Sequence, residues 1–226
     1  MNQKRGTPEN EGERMKFHAV IPFRPANPKT RLSAVLTQDE RESFADAMLS
    51  DVVSAVRETG APVTLLSTAP YTCAGAETLV RNEGLNEALN WILPQYNTPV
   101  LIIMSDLPLV TKDTIQRVVS TGNDVAIVPG LGGGTNILFI RCPEKYSVQY
   151  YGYSFMKHVE EAKRLGMSVE IIDSMRMSLD VDEPADLTEL LIHGSGSAKR
   201  WLEEHGFVLS AESGRVSVKR GGEEIV

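Results

Sequence analysis

VLIIMSDLP (100–108) decides the fold. Its first five residues are all apolar, so a strand built from them shows no polar face. Such a strand must be covered on both sides, as in a parallel sheet flanked by helices. Asp106 follows through one residue, and Pro108 ends the strand and stiffens the turn. At the carboxyl end of a strand in an open α/β sheet, a side chain faces the ligand crevice. An aspartate there is placed to hold a divalent cation.

The segments on either side repeat the same alternation. Toward the N-terminus, MKFHAVIPF (15–23) reads as a buried first strand and RPANPKTR (24–31) as a basic loop. Thr37 and Glu40 have capping-box spacing. Phe44, Met48, Val52 and Val56 then recur at helical period up to Gly60. VTLLS (63–67) is a second strand, and GLNEALNWIL (84–93) a helix entered through glycine, with Trp91 in the core. Toward the C-terminus, a helix (111–120), a strand (124–128), a glycine turn (130–134) and a strand (135–141) follow. Next come a helix stopped by Gly166 (153–165), a strand (168–172) and a helix with proline in its first turn (184–192). A helix (197–205) and a hairpin (207–218) turning near Ser213-Gly214 complete the chain. The pattern predicts an α/β sandwich with a mostly parallel sheet. Residues 1–14 are polar and lack aromatics, and are expected to be a disordered leader.

Composition excludes some partners. The 226 residues carry a net charge of −7, which gives no electrostatic case for nucleic acid or an anionic membrane. No apolar run reaches membrane-spanning length and no signal peptide is present, so a cytoplasmic location is expected. Cys73 and Cys142 have neither metal-ligand nor redox spacing and read as reduced thiols, at least one of them buried.

Four segments carry possible chemistry. LDVDEP contributes Asp180 and Asp182. If 179–182 is extended, both carboxylates share one face and, with Asp106, offer oxygen ligands of the kind magnesium takes. The plainer alternative for Asp182 is a cap on the helix that begins near Pro184. Arg24, Lys29 and Arg31 lie in the first loop, where α/β nucleotide-binding proteins commonly approach phosphates. With no Gly-rich fingerprint and no Walker motif, phosphate must be met by these cationic side chains; a solvated basic loop is the plainer alternative. GGGTN, with Gly134, Thr135 and Asn136, can bring backbone N–H groups close to an anion. YGYS, with Gly152 and Ser154, opens a helix whose N-terminus favours anions. His158, four residues on, reads as a core or surface histidine without a catalytic role.

In order, the motifs PxxPxxxKxRL (22–32), ERxxxAxAML (40–49), GLNEAL (84–89), SDLPL (105–109), GGGTN, YGYSFMKH (151–158) and LDVDEPADL (179–187) resemble one family. It is the CofC/FbiD family of 2-phospho-L-lactate guanylyltransferases of coenzyme F(420) biosynthesis, and the resemblance covers roughly 15–192. It implies a glycosyltransferase-A-like, Rossmann-like nucleotidyltransferase domain over 15–192, with 193–226 as an appendage of the same domain. The implied reaction takes GTP and 2-phospho-L-lactate, or an analogue such as phosphoenolpyruvate, and releases pyrophosphate. Asp106, Asp180 and Asp182 would bind two magnesium ions. Gly84 and Asn86 would lie at the nucleotide, with Arg24, Lys29 and Arg31 on its phosphates. Gly134, Thr135, Asn136, Gly152 and Ser154 would receive the acceptor. Arg24 stands where the family often has lysine. A homodimer and hand-over of the unstable product to the next enzyme are further expectations. Two other readings stay open: a nucleotidyltransferase of this fold acting on a molybdenum cofactor or sugar phosphate, and a non-catalytic nucleotide-binding regulatory module. A DxD phosphatase fits less well, because its nucleophilic aspartate belongs on an early strand.

Overall fold

The computed structural model describes residues 16–211, 214 and 216–225. The leader at 1–14, Met15 of the first strand and Ser213 of the hairpin turn therefore lie outside the described residues. Strands β1 (His18–Phe23), β2 (Val63–Ser67), β3 (Glu77–Val80), β4 (Val100–Ile103), β5 (Val125–Pro129), β6 (Thr135–Ile140) and β7 (Val169–Ile171) form one sheet. Their order is β3-β2-β1-β4-β6-β5-β7. Only β6 runs antiparallel to its neighbours β4 and β5, so the sheet is mixed but mostly parallel.

Side-chain alternation explains why β4 shows no polar face. Leu101 and Ile103 join Ala19, Ile21 and Leu65 in a core covered by α1 (Gln38–Arg57) and α3 (Lys112–Val119). Val100 and Ile102 join Val20, Leu66, Leu138 and Ile140 in a second core under α2 (Leu85–Ile92) and α4 (Ser154–Arg164). Each strand thus feeds two layers, as strands of a helix-flanked sheet must.

The chain starts at β1, runs outward through β2 and β3, and then crosses to β4 on the other side of β1. The carboxyl ends of β1 and β4 therefore flank a topological switch point, where open α/β sheets bind their ligands. The basic loop after Phe23 and Asp106 after β4 both emerge there.

Three elements escaped the sequence. The edge strand β3 has no fully buried residue and so no apolar run to reveal it. The four-residue helix α5 (Met175–Ser178) precedes α6 (Asp186–His193). Strand β10 (Glu223–Glu224) extends the predicted hairpin of β8 (Phe207–Ser210) and β9 (Ser217–Arg220) into a three-stranded sheet. Helix α7 (Ser197–Glu204) packs Trp201 against Phe44 of α1, ring centroids 5.0 Å apart. Its N-terminus is capped from α1: Asp51 accepts from the N–H groups of Ser197 (2.6 Å) and Ala198 (2.9 Å). Two readings are corrected. Trp91 is 43% exposed rather than core, and neither free cysteine is fully buried.

Candidate active site at the carboxyl ends of β1 and β4

Lys29 and the aspartates meet at the switch point. The ammonium of Lys29 lies 2.5 Å from Asp106 Oδ2 and 3.1 Å from Asp182 Oδ1, bridging segments far apart in sequence. Its side chain is only 9% exposed. Burial alone pulls its pKa down, but the two carboxylates outweigh that and hold it raised. Arg31 is more exposed and reaches the other oxygen of Asp182 (2.6 Å) and, at 3.7 Å, Glu183. Asp182 does not cap α6. The helix has no side-chain cap; Asp186 instead pins the preceding turn, accepting from the backbone N–H groups of Asp182 (2.9 Å) and Glu183 (2.7 Å), and the Asp182 side chain is left to the cations.

The 179–182 segment joins no ladder, but it is tied to the β4 loop, where the Val181 N–H donates to the Asp106 carbonyl (3.0 Å). Asp180 is raised above the usual carboxylate range, first by burial and then by the neighbouring Asp106 charge. Asn136, predicted for the acceptor, instead donates to the Met177 carbonyl (3.1 Å) and Asp180 Oδ1 (3.4 Å). Among the described residues no three carboxylate, imidazole or thiol groups already stand at metal-ligand spacing. The donor chemistry nevertheless fits a hard divalent cation. Asp106 Oδ1 is buried without a hydrogen-bond partner, and Asp180 beside it is short of positive charge.

The loop that carries Lys29 is strained and braced. Asn27 (φ 47°) and Lys29 (φ 52°) both adopt left-handed backbone, uncommon for residues with a Cβ. Arg41, buried in the first turns of α1, holds them there. Its guanidinium donates to the Pro28 carbonyl (3.1 Å), the Asn27 side chain (2.8 Å) and the Leu36 carbonyl (3.3 Å). Arg41 belongs to the ERxxxAxAML motif, where nothing in the sequence alone assigns it this role. A charge at a helical position otherwise flanked by core residues was the available signal.

The glycine turn and the α4 N-terminus interlock. Phe155 N donates to the Gly133 carbonyl (3.3 Å). Gly133 has a positive φ (80°), and a Cβ there would stand 2.8 Å from the Tyr153 ring, so any other residue would be strained. Tyr151, Gly152 and Tyr153 all have positive φ (73°, 47°, 27°). This left-handed stretch leads directly into the N-terminus of α4, where helix N–H groups favour anions. Behind them, Thr135 and Ser154 are buried rather than open to the cleft. The Gln149 backbone N–H donates to His158 Nε2 (3.0 Å), so Nδ1 carries the proton and donates to Thr135 Oγ1 (2.9 Å). Ser154 Oγ donates to the same oxygen (3.2 Å). Burial lowers the His158 pKa to about 4, keeping the ring neutral. The histidine is thus core, and it also orients the predicted acceptor hydroxyls.

Gly84 and Arg24 line a cavity of about 700 Å³ beside the cluster, with Phe23, Ser105 and Tyr151. Asn86, expected at the nucleotide, is held from behind this region. Its amide exchanges two hydrogen bonds with the backbone of Tyr150 (2.6 and 3.2 Å). Asn90, one turn on, does the same with Val148 (2.8 and 3.0 Å). The two asparagines therefore fix the segment that leads into the positive-φ run.

The fold is shared with solved structures. A candidate nucleotide-diphospho-sugar transferase from Desulfovibrio desulfuricans G20 superposes with a TM-score of 0.70 at 18% identity, covering 84% of this chain and 95% of that one. A nucleotidyl transferase from Methanothermobacter thermautotroptrophicus gives a TM-score of 0.55 at 11% identity, over 84% and 99% of the two chains. That shared fold is a mostly parallel sheet, and in this chain lysine, arginine and aspartates gather at its switch point; with the family match that follows, it is the fold of a nucleotidyltransferase. The family model for CofC-like guanylyl transferases matches residues 17–221. The 2-phospho-L-lactate guanylyltransferase of Methanocorpusculum labreanum is 63% identical over 212 residues, 94% of this chain and 100% of the relative. The chain belongs to the CofC-like guanylyl transferase family.

Proposed function

We propose that this protein transfers GMP from GTP to 2-phospho-L-lactate and releases pyrophosphate, a step of coenzyme F(420) biosynthesis carried out in the cytoplasm. The name of the Methanocorpusculum relative supports this acceptor. The observation that carries the chemistry is Lys29, buried between Asp106 and Asp182 where β1 and β4 part. Among the described residues no helix is long and apolar enough to cross a membrane.

The acceptor is a phosphate monoester, so its attacking oxygen is ionised near neutral pH and needs no general base. That oxygen forms a bond to the α-phosphorus of GTP while the bond to the β-phosphate breaks. Catalysis is then alignment and charge neutralisation. Asp106, Asp180 and Asp182 are assigned to hold magnesium, two ions in our reading, which offsets the repulsion of the two polyanions when bound. Lys29 and Arg31, with Arg24 at the cavity rim, stabilise the leaving pyrophosphate. The N–H groups of Gly134 and Gly152 receive the acceptor, with the buried, mutually bonded Thr135 and Ser154 hydroxyls holding the two segments together behind them. Asn136 acts one step behind them by orienting Asp180, and Asn86 acts through the backbone of Tyr150.

The test is pyrophosphate release from GTP and magnesium with a panel of acceptors: 2-phospho-L-lactate, phosphoenolpyruvate and 3-phosphoglycerate. The highest kcat/KM is expected with 2-phospho-L-lactate. Higher efficiency with another acceptor replaces it, and no release with any of them overturns the reading.

A further inference from the structure

Two adjoining cavities, of about 700 and 630 Å³, share one wall, formed by Thr68, Ala69, Arg81, Asn82 and Glu83. The larger runs from Arg24 and Ser105, beside the carboxylate cluster, to this wall. A nucleotide whose phosphates lie at the Arg24 end therefore places its base against residues 81–83, the turn between β3 and α2.

That turn is built as a stack. The Arg81 N–H donates to the Ser67 carbonyl (2.8 Å), fixing its backbone to the end of β2. Its guanidinium lies 4.0 Å from the centroid of the Trp91 ring, a cation–π contact. This contact gives the half-exposed tryptophan of α2 a task that packing does not. The guanidinium in turn grips Glu83: Arg81 Nε is 2.5 Å from Oε1, and Nη2 contacts the same oxygen. Trp91 thus positions Arg81, and Arg81 positions a carboxylate on the cavity wall.

We propose that Glu83 reads the guanine base, accepting hydrogen bonds from its N1–H and N2–H₂ groups, with Arg81 and Trp91 as positioning residues. The inference rests on the guanylyl-transfer reading. Guanine presents two adjacent donors on one edge, matching the two acceptor oxygens of an ionised carboxylate. Adenine presents a lone pair at N1 and no donor at C2. Uracil flanks its one N–H with two carbonyls. A carboxylate repels both edges, and a site built to satisfy a base's polar groups rejects analogues that leave them unpaired.

Xanthine separates this proposal from general loss of binding. It keeps N1–H but carries an oxygen where guanine has the N2 amine. Glu83→Gln supplies one acceptor for N1–H and one donor for that oxygen. The experiment measures equilibrium binding of GTP and of xanthosine triphosphate to the wild type and to Glu83→Gln, beside turnover with 2-phospho-L-lactate and thermal melting. GTP binding is expected to weaken roughly tenfold or more, as for loss of a hydrogen bond to a charged group, and xanthosine triphosphate to become the preferred ligand. Trp91→Leu, which leaves Glu83 in place but removes the platform, is expected to narrow the GTP preference without reversing it. An unchanged ratio of the two nucleotides in Glu83→Gln overturns the proposal, whatever turnover does. A shifted ratio in a protein that releases no pyrophosphate supports Glu83 as the base reader and overturns the transfer reaction alone.

Discussion

Lys29 shows how much chemistry one residue concentrates. Its left-handed backbone directs a buried ammonium between two carboxylates that arrive from loops far apart in the chain. Lys29→Ala leaves those carboxylates facing each other and removes the cation nearest the leaving group. We expect kcat to fall by about 10²–10³, or roughly 2.7–4 kcal/mol, as for loss of other oxyanion stabilisers. Steady-state kinetics in both substrates checks this, and a change confined to acceptor KM would move Lys29 out of the leaving-group role. Lysine, arginine and aspartate were legible in the sequence because charges near strand ends stand out against apolar runs. Their partners were not. Arg41 looks like a solvated helix residue until it is seen bracing the Pro28 carbonyl. His158 acquires its role only when Gln149, brought to it by the 146–150 segment, fixes which nitrogen holds the proton.

At the scale of elements, α2 does more than cover the sheet. Asn86 and Asn90, four residues apart on one face, bond the backbones of Tyr150 and Val148 as a neighbouring strand would. Asn90→Ala strands the Val148 N–H and C=O away from water. An unsatisfied buried group costs about 1–3 kcal/mol, so thermal or urea unfolding should show a loss of that order. GTP affinity should be unchanged, since Asn90 lies outside the nucleotide cavity. Hydrophobic periodicity revealed α1, α3 and the inner strands, because each has a continuous buried face. It missed β3, which pairs with β2 at the sheet edge while burying little. It also misplaced Trp91, whose ring serves Arg81 instead of the core. Side-chain clamps such as the asparagine pair leave no periodic trace, because asparagine at i and i+4 reads as an ordinary polar face.

Across the whole molecule, the C-terminal sheet is bound to the first helix by charge. Arg220 of β9 donates to the Val35 carbonyl (2.8 Å) and grips Glu40, which also closes the capping box of α1. The arginine contact holds the Glu40 carboxyl at about 2, against 4.5 for an ordinary glutamate. A carboxylate depressed in the folded state contributes stability that is complete above its unfolded pKa and fades as pH falls toward its folded one. Glu40→Gln should therefore lower Tm most at neutral pH, and the gap from wild type should close between about pH 4.5 and 2. A gap that stays constant across that range would show that this ion pair adds nothing to stability. The mostly parallel direction follows from the alternation of strands and helices; the strand order and this long-range pair do not, since nothing local in β9 points to residue 40. The cap on α7 has a related consequence for the order of assembly. Helix α7 has no N-terminal cap of its own and borrows Asp51, 146 residues upstream. A chain emerging N-terminus first has made α1 long before Ser197 leaves the ribosome. The final helix therefore finds its anchor already in place, and synthesis itself sets the sequence in which the structure is closed.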